Sequence, residues 1–449
     1  MNDPLSEVVG KVLKEVGLHG GTIALGLSGG MDSVVLLDVL DRLRATGDFR
    51  LRAVHVNHQI SVHSGAWEEF CGSLCRDRQV DFEAHRVRVI AAGEGIEAAA
   101  RRLRYEVLEG IACDAIALAH HADDQVETFL LQLLRGAGPK GLAAMPVARP
   151  LREASIAGKA QWLLRPLLDV SRAQIRSYAA LRQLSWVEDD SNSDARYDRN
   201  FVRIEILPRL ETRFPAYRET LTRSARNLAD YARVAEAMAF VDAGEAKNGA
   251  IPVDRLRSLP DARALNLLRH LFDSQHLSMP PRVRLEEALR QCREAARDAS
   301  VRVEFDDHVL RCHRGLVELL AQNAEMPVDW HSAWDGQQLL ALPGGLGRLS
   351  ARTAIGDGIA LRHFKAQAAT VRGRTGGERM QSAHNRPSRT LKNLFQEHAI
   401  PPWERQQMPL VFFGERLAWV PGIGVAIEFR AAGGEVGVTP EWQEVEEQP

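Results

Sequence analysis

Residues 22–40, TIALGLSGGMDSVVLLDVL, decide how the chain folds. Thr22 to Leu27 form an apolar run of the length a buried strand needs, and from Leu36 the spacing Leu36, Leu40, Leu43 marks one face of a helix. Strand and helix are joined through Ser28, Gly29, Gly30, Met31, Asp32 and Ser33. Two adjacent glycines let the backbone turn sharply and approach an anion, while the helix start aims unpaired N–H groups and its positive dipole end at the same point. The stretch therefore predicts a phosphate cradle. It is not the ATPase loop G-x-x-x-x-G-K-[ST], because Met31 and Asp32 follow the second glycine where that loop has lysine. A plain tight turn capped by Asp32 or Ser33 is the competing reading.

With 449 residues the chain exceeds one ordinary domain, and two or three are expected. A hydrophobic content of 45% and a charged content of 26% describe a globular protein. The formal charge of −2 excludes a chain that is basic all over, but a local arginine field can bind nucleic acid while the total stays near zero. Cys71, Cys75, Cys113, Cys292 and Cys312 include no CxxC pair, which points to packing in a reducing compartment and a cytoplasmic location. The opening MNDPLSEVVGKVLKEVG carries charges throughout and reads as an amphipathic helix, and no run of eighteen apolar residues suggests a membrane span.

After the first unit, 50–58 reads as a strand, 66–78 as a helix, 82–89 as a strand, 94–110 as a helix, 114–119 as a strand and 123–135 as a helix. Strands alternating with helices of this length imply a parallel, doubly wound α/β sheet with ligands beyond the strand C-termini. Three polar clusters fall at that edge: SGGMDS, His55-Val56-Asn57-His58, and His120-His121-Ala122-Asp123-Asp124. Asp123 and Asp124 open a helix, where carboxylates serve as caps or as Mg²⁺ ligands beside phosphates. Arg101, Arg104 and Tyr105 share one helical turn, where an arginine beside a triphosphate would neutralise charge on a leaving pyrophosphate.

From 149 onward arginine and aromatic residues become frequent. LLRPLL is strand-like, Ser171 is a plausible helix cap, and a polar loop over Glu188–Asn192 precedes Arg196, Tyr197, Arg199, Asn200 and Arg203, a mixture suited to phosphate contact and base stacking. Residues 216–300 have helical patterns, 301–320 read as a hairpin, and Cys312-His313 as packing. In the last section Arg372, Arg374, Arg379, Arg386, Arg389 and Lys392 lie close together with a single acid, Glu378, as on a surface for an RNA backbone. Trp403 after two prolines reads as packed.

Taken together, SGGMDS, HVNH, GEGIEAAARRLRY, HHADDQVETFLLQLLRGAGPKGL, WVEDDSNSDARYDRNFVR and the RGRTGGERM…LKNLFQEHAIPPWER tail resemble the tRNA(Ile)-lysidine synthetases, a family of PP-loop ATP pyrophosphatases. One departure is that Asn57-His58 continues through Gln59 to Ile60-Ser61, where the family usually has a Leu-Arg pair. The resemblance implies a parallel PP-loop catalytic domain over 1–215, a small mainly helical domain over 216–325 that binds tRNA or substrate, and a C-terminal α+β tRNA-binding domain over 326–449. It implies that ATP adenylates the 2-carbonyl oxygen of the wobble cytidine in a CAU-anticodon isoleucine tRNA and that free L-lysine displaces AMP. Ser28, Gly29, Gly30, Met31, Asp32 and Ser33 would hold ATP. Asp123 or Asp124 would anchor Mg²⁺, with Asp123 preferred, or the lysine ammonium; Arg101 or Arg104 would face phosphate and His121 would be the base. Arg196, Arg199, Asn200, Arg372, Arg374, Arg379 and Lys392 would meet the tRNA. A homodimer is compatible with the sequence. The rival readings are a tRNA thiolase of the same superfamily, weakened by the lack of a cysteine pair, a non-catalytic RNA-binding relative, and an amidotransferase-linked synthetase.

Overall fold

The structure, a computed structural model, describes residues 3–18, 20–90, 95–152, 160–188, 194, 196–244, 249–296, 301–306, 308–321 and 330–443. Much of the polar loop expected over Glu188–Asn192 therefore lies outside the described residues. The chain forms two compact units, Met1–Ala237 and Met238–Pro449.

The first unit runs α1 (Pro4–Glu15), β1 (Gly21–Gly26), α2 (Met31–Arg44), β2 (Phe49–Asn57), α3 (Ser64–Asp77), β3 (Asp81–Arg86), α4 (Ile96–Glu109), β4 (Ala115–Ala117), α5 (Ala122–Leu134), α6 (Pro139–Leu142), β5 (Ala148–Arg152), β6 (Gln161–Leu164), α7 (Arg172–Leu181) and α8 (Asp198–Phe201). A single π-helical turn, Val202–Ile206, then leads into α9 (Leu207–Arg213), and α10 (Tyr217–Ala243) follows. The sheet order is β3-β2-β1-β4-β6-β5. All neighbours pair in parallel except β5, which runs antiparallel to β6 at the edge and was not expected from the sequence. Successive strand residues bury on opposite faces, as the pleat requires. Ile23, Leu25 and Ala53 pack against α1, α2, α3 and α7, while Ala24, Val54, Ile116 and Leu163 pack against Leu108 near the end of α4.

Polar contacts fix two of these helices. Ser171 caps α7 by accepting from Gln174 N at 3.3 Å, the role its position predicts. Buried Asp38 on α2 accepts from Tyr178 Oη on α7 at 2.9 Å and from Arg182 Nε at 3.2 Å.

In the second unit, helices Val253–Ser258, Asp261–Ser274 and Arg282–Glu294 accompany an antiparallel sheet of Ile251–Pro252, Leu316–Ala321, His308–His313 and Val301–Phe305. Their shared core includes Leu268, Phe272, Leu289 and Phe305. The hairpin expected over 301–320 is thus present, and Cys312 is buried as expected. Beyond it, a five-stranded antiparallel sheet, a four-stranded one and the short helix Leu391–Glu397 share a core around Phe395, Phe412 and Trp419. Trp403 is packed, with the Arg311 guanidinium 4.8 Å above its ring and His313 edge-on at 5.3 Å. Burial raises all five thiols above their ordinary range, Cys71 and Cys292 to about 12 and Cys75 to about 11.

Candidate active site

The loop between β1 and α2 is closed by its own serines. Ser33 Oγ accepts from Gly29 N at 3.2 Å, donates to Gly30 O at 2.9 Å and lies 3.1 Å from Ser28 Oγ. Gly29 has φ +89°, and a Cβ there would stand 2.9 Å from Val187 Cγ2 and 3.1 Å from Cys71 Sγ, so only glycine fits. Gly30 is the N-cap of α2 and no side chain caps the helix. The cap by Asp32 or Ser33 on which the competing reading rested is therefore not made, because Ser33 is committed to the loop, and the first-turn amides of α2 are left for a ligand.

The loop opens on a cleft of about 400 Å³ at the C-terminal edge of the sheet. The end of β2 forms one wall. His55 Nδ1 is 2.8 Å from Leu27 O, and Asn57 Nδ2 donates to Glu68 Oε2 at 2.8 Å. Burial, with Arg104 and His55 nearby, pushes His58 down to about 4, and its buried Nδ1 has no partner. The opposite wall carries Arg101, Arg104, Tyr105 and His120. No cysteine is among the described residues lining the cleft.

The start of α5 meets the loop through His121, which is 3% exposed. Its Nε2 lies 3.6 Å from Asp32 Oδ2 and 3.5 Å from Asp124 Oδ2, and its Nδ1 lies 3.7 Å from Asp123 Oδ2. Burial opposes the imidazolium, but the three carboxylates outweigh it and His121 titrates above its ordinary value. Both aspartates stay below the carboxylate range although burial works against the charge, held there for Asp123 by Arg172 N and Arg218, and for Asp124 by His121 and Arg199.

Behind them is a buried charge network that sequence reading did not foresee. Glu127, fully buried one turn along α5, receives Arg199 Nε at 2.8 Å and Arg203 Nε at 2.6 Å. Arg199 also reaches Asp124 Oδ1 at 2.8 Å, and Arg218 Nε reaches Asp123 Oδ1 at 2.6 Å. The spacing of Asp123, Asp124 and Glu127 on one helix was the available signal, since acids three or four residues apart share a face.

This geometry places several of the residues expected at the site. Arg199, expected on the tRNA, is turned inward onto Asp124 and Glu127. Asn200 Nδ2 donates to Asp194 O at 3.0 Å, and Arg196, which stays on the surface, pairs with Asp194 at 2.7 Å. Asp123, expected to hold Mg²⁺, has Oδ1 on Arg218 and Oδ2 accepting from Arg172 N at 2.9 Å. His121, expected as a base, lies among Asp32, Asp123 and Asp124, which raise its titration above the ordinary value against the effect of burial. Arg101 and Arg104 both line the cleft. In the second unit Arg372 lies 3.8 Å over the Phe412 ring, Arg379 donates to Ser388 O at 2.8 Å, and Lys392 is exposed. The lone acid Glu378 accepts from Thr375 N at 2.7 Å and Gly376 N at 2.8 Å and lies 3.5 Å from Arg374, so it is spent on shaping the arginine loop.

A bare helix N-terminus behind a glycine-serine loop, at the edge of a parallel sheet and beside a carboxylate cluster at the start of α5, defines a PP-loop ATP-using enzyme. Residues 2–210 match the family described as a PP-loop domain, 251–317 a TilS substrate binding domain and 369–442 a TilS substrate C-terminal domain. The chain is 42% identical to the tRNA(Ile)-lysidine synthase of Nitrosomonas europaea, over 94% of this chain and 92% of that protein. It is 41% identical to that of an Azoarcus species (94% and 91%) and 38% identical to that of Methylococcus capsulatus (95% and 97%). The chain belongs to the tRNA(Ile)-lysidine synthase family.

Proposed function

We propose that the cleft at Ser28–Ser33 is where this enzyme, an ATP-dependent ligase that forms lysidine in tRNA(Ile), adenylates the wobble cytidine before L-lysine replaces AMP. The observation that supports this most directly is the uncapped first turn of α2 opening on the cleft. Its amides, with Ser28, Gly29, Gly30, Met31 and Ser33, would bind the pyrophosphate portion of ATP, so that adenylation is favoured by position and charge without a covalent enzyme intermediate. Arg101 would meet charge on the leaving group.

The donor set fits Mg²⁺ at Asp32 better than at Asp123. Asp32 Oδ1 is buried with no hydrogen-bond partner, whereas both oxygens of Asp123 are occupied. Mg²⁺ there would neutralise phosphate charge. His121, between Asp32 and Asp124, would keep loop and helix in register. Asp123 and Asp124 remain the proposed partners of the lysine ammonium, which would share them with Arg218 and Arg199. The tRNA would be met by Arg196 and by Arg372, Arg374, Arg379 and Lys392. The same reading supports a catalytic domain over 1–215, a substrate-binding domain over 216–325 and a tRNA-binding domain over 326–449. Cytoplasmic location and a homodimer are part of the proposal, and among the described residues no helix is long and apolar enough to cross a membrane.

The test is direct. With ATP, Mg²⁺ and radiolabelled lysine, the protein should label isoleucine tRNA bearing CAU and leave the same RNA unlabelled when the wobble cytidine is changed to uridine. Equal labelling of both RNAs, or of neither, would contradict the assignment.

A further inference from the structure

Tyr105 on α4 lies between two guanidinium groups. Arg101 Nη2 is 3.5 Å from its hydroxyl oxygen, with the guanidinium carbon 5.2 Å from the ring centre, and Arg165 Nη2 is 3.4 Å from the same oxygen. A guanidinium has donors and no acceptor, so both contacts require the tyrosine oxygen to accept. The hydroxyl hydrogen must then point elsewhere. Among the described residues nothing accepts it, and Tyr105 is part of the cleft wall.

Arg165, at the end of β6, is the unusual member. It is 4% exposed, donates to Pro146 O at 3.0 Å, and its buried Nε has no partner. Among the described residues no carboxylate pairs with it, and the charged side chains acting on it, Arg149 and Arg101, have the same sign. A buried cation without a counter-ion is costly in a purely structural role. Beside it, His120 is driven far below its ordinary range by burial, opposed by Asp124 and reinforced by Arg165, Arg199 and Arg101, so this wall presents a neutral imidazole. Uncompensated positive charge behind a hydroxyl with a free hydrogen is a setting for an oxyanion.

We propose that Tyr105 donates a hydrogen bond to a phosphoryl oxygen held in the cleft, and that Arg165 is a positioning residue that acts through Tyr105 by holding the hydroxyl with its hydrogen toward the ligand. The shared chemistry is a phosphoryl oxygen. Its sources are the triphosphate of ATP or the RNA backbone beside the modified nucleotide, and the triphosphate is favoured because Tyr105 lines the same cleft as the Ser28–Ser33 loop. The inference rests on that cleft being the adenylation site.

The experiment is tRNA-dependent ATP–pyrophosphate exchange by the full chain, with kcat and KM for ATP and for tRNA, on wild type, Tyr105→Phe, Arg165→Lys, Arg165→Met and the Tyr105→Phe/Arg165→Met double variant. Tyr105→Phe keeps the ring and removes only the hydroxyl, and should lower kcat/KM by roughly tenfold or more. Arg165→Met should fall similarly, Arg165→Lys should recover part of the loss, and the double variant should be no worse than the worse single, since both act on one hydrogen bond. A KM rise confined to ATP assigns the oxygen to the triphosphate, and one confined to tRNA assigns it to the RNA backbone. Tyr105→Phe within twofold of wild type overturns the proposal, as do losses that multiply in the double variant, because Arg165 would then act through packing. Absence of exchange in the wild type would instead remove the adenylation reading itself.

Discussion

At the scale of single residues, His121 shows how burial and charge compete. Its raised titration point means that its contribution to stability is complete below the unfolded histidine value of about 6.5 and is lost as pH rises through the higher folded value. Asp123 and Asp124, held low, act in the opposite sense: their contribution is present above the unfolded carboxylate value and lost as pH falls through the folded one. His121→Asn should therefore lower the thermal midpoint more at about pH 6 than at about pH 9. A penalty that is the same at both pH values would mean that the imidazolium does not bind the three carboxylates. The sequence made the site's residue types visible through SGGMDS and HHADDQ. It did not make visible which oxygen faces which arginine, since Arg199, Arg203 and Arg218 meet the aspartates and Glu127 from segments more than seventy residues away.

At the scale of elements, the π-helical turn Val202–Ile206 carries Arg203, which reaches Glu127 at 2.6 Å. One-turn π segments of this kind recur at functional sites. The network they form here is buried, so removing one partner leaves charge uncompensated at a cost of roughly 3–5 kcal/mol. Glu127→Gln should shift the first urea-unfolding transition by an amount of this order, and changing Arg199 and Arg203 to Met in the same chain should recover part of the loss. Additive destabilisation in the triple variant would show that the arginines act separately from Glu127. The strand and helix order of this unit was legible from period and punctuation, because apolar runs of strand length alternate with amphipathic stretches. The antiparallel β5 was not, because its ARPLR stretch has no alternation and pairs only across one edge of the sheet. In the second unit the short strands of two to five residues fall below the length at which alternation declares itself.

At the scale of the molecule, the near-zero net charge conceals an uneven distribution. Glu378 gives its carboxylate to the backbone and lies 3.5 Å from Arg374 and 4.0 Å from Arg372, while Arg372 also stacks on Phe412 and Arg379 donates to a backbone carbonyl, so one acid is shared across an otherwise basic loop. Neutralising Arg372, Arg374 and Arg379 together should weaken tRNA binding and flatten its dependence on salt, with up to one counterion lost from the slope per phosphate contact removed. An unchanged slope in filter binding across a salt series would place the RNA elsewhere. The buried thiols carry a different consequence. With all five cysteines raised by burial, Cys71 among them behind Gly29 of the nucleotide loop, the native chain offers thiol reagents almost no thiolate at neutral pH. A cysteine introduced beside Arg374 would then be the one reactive handle, and a fluorophore placed there would report arrival of the RNA without first having to strip the protein of its own sulfur.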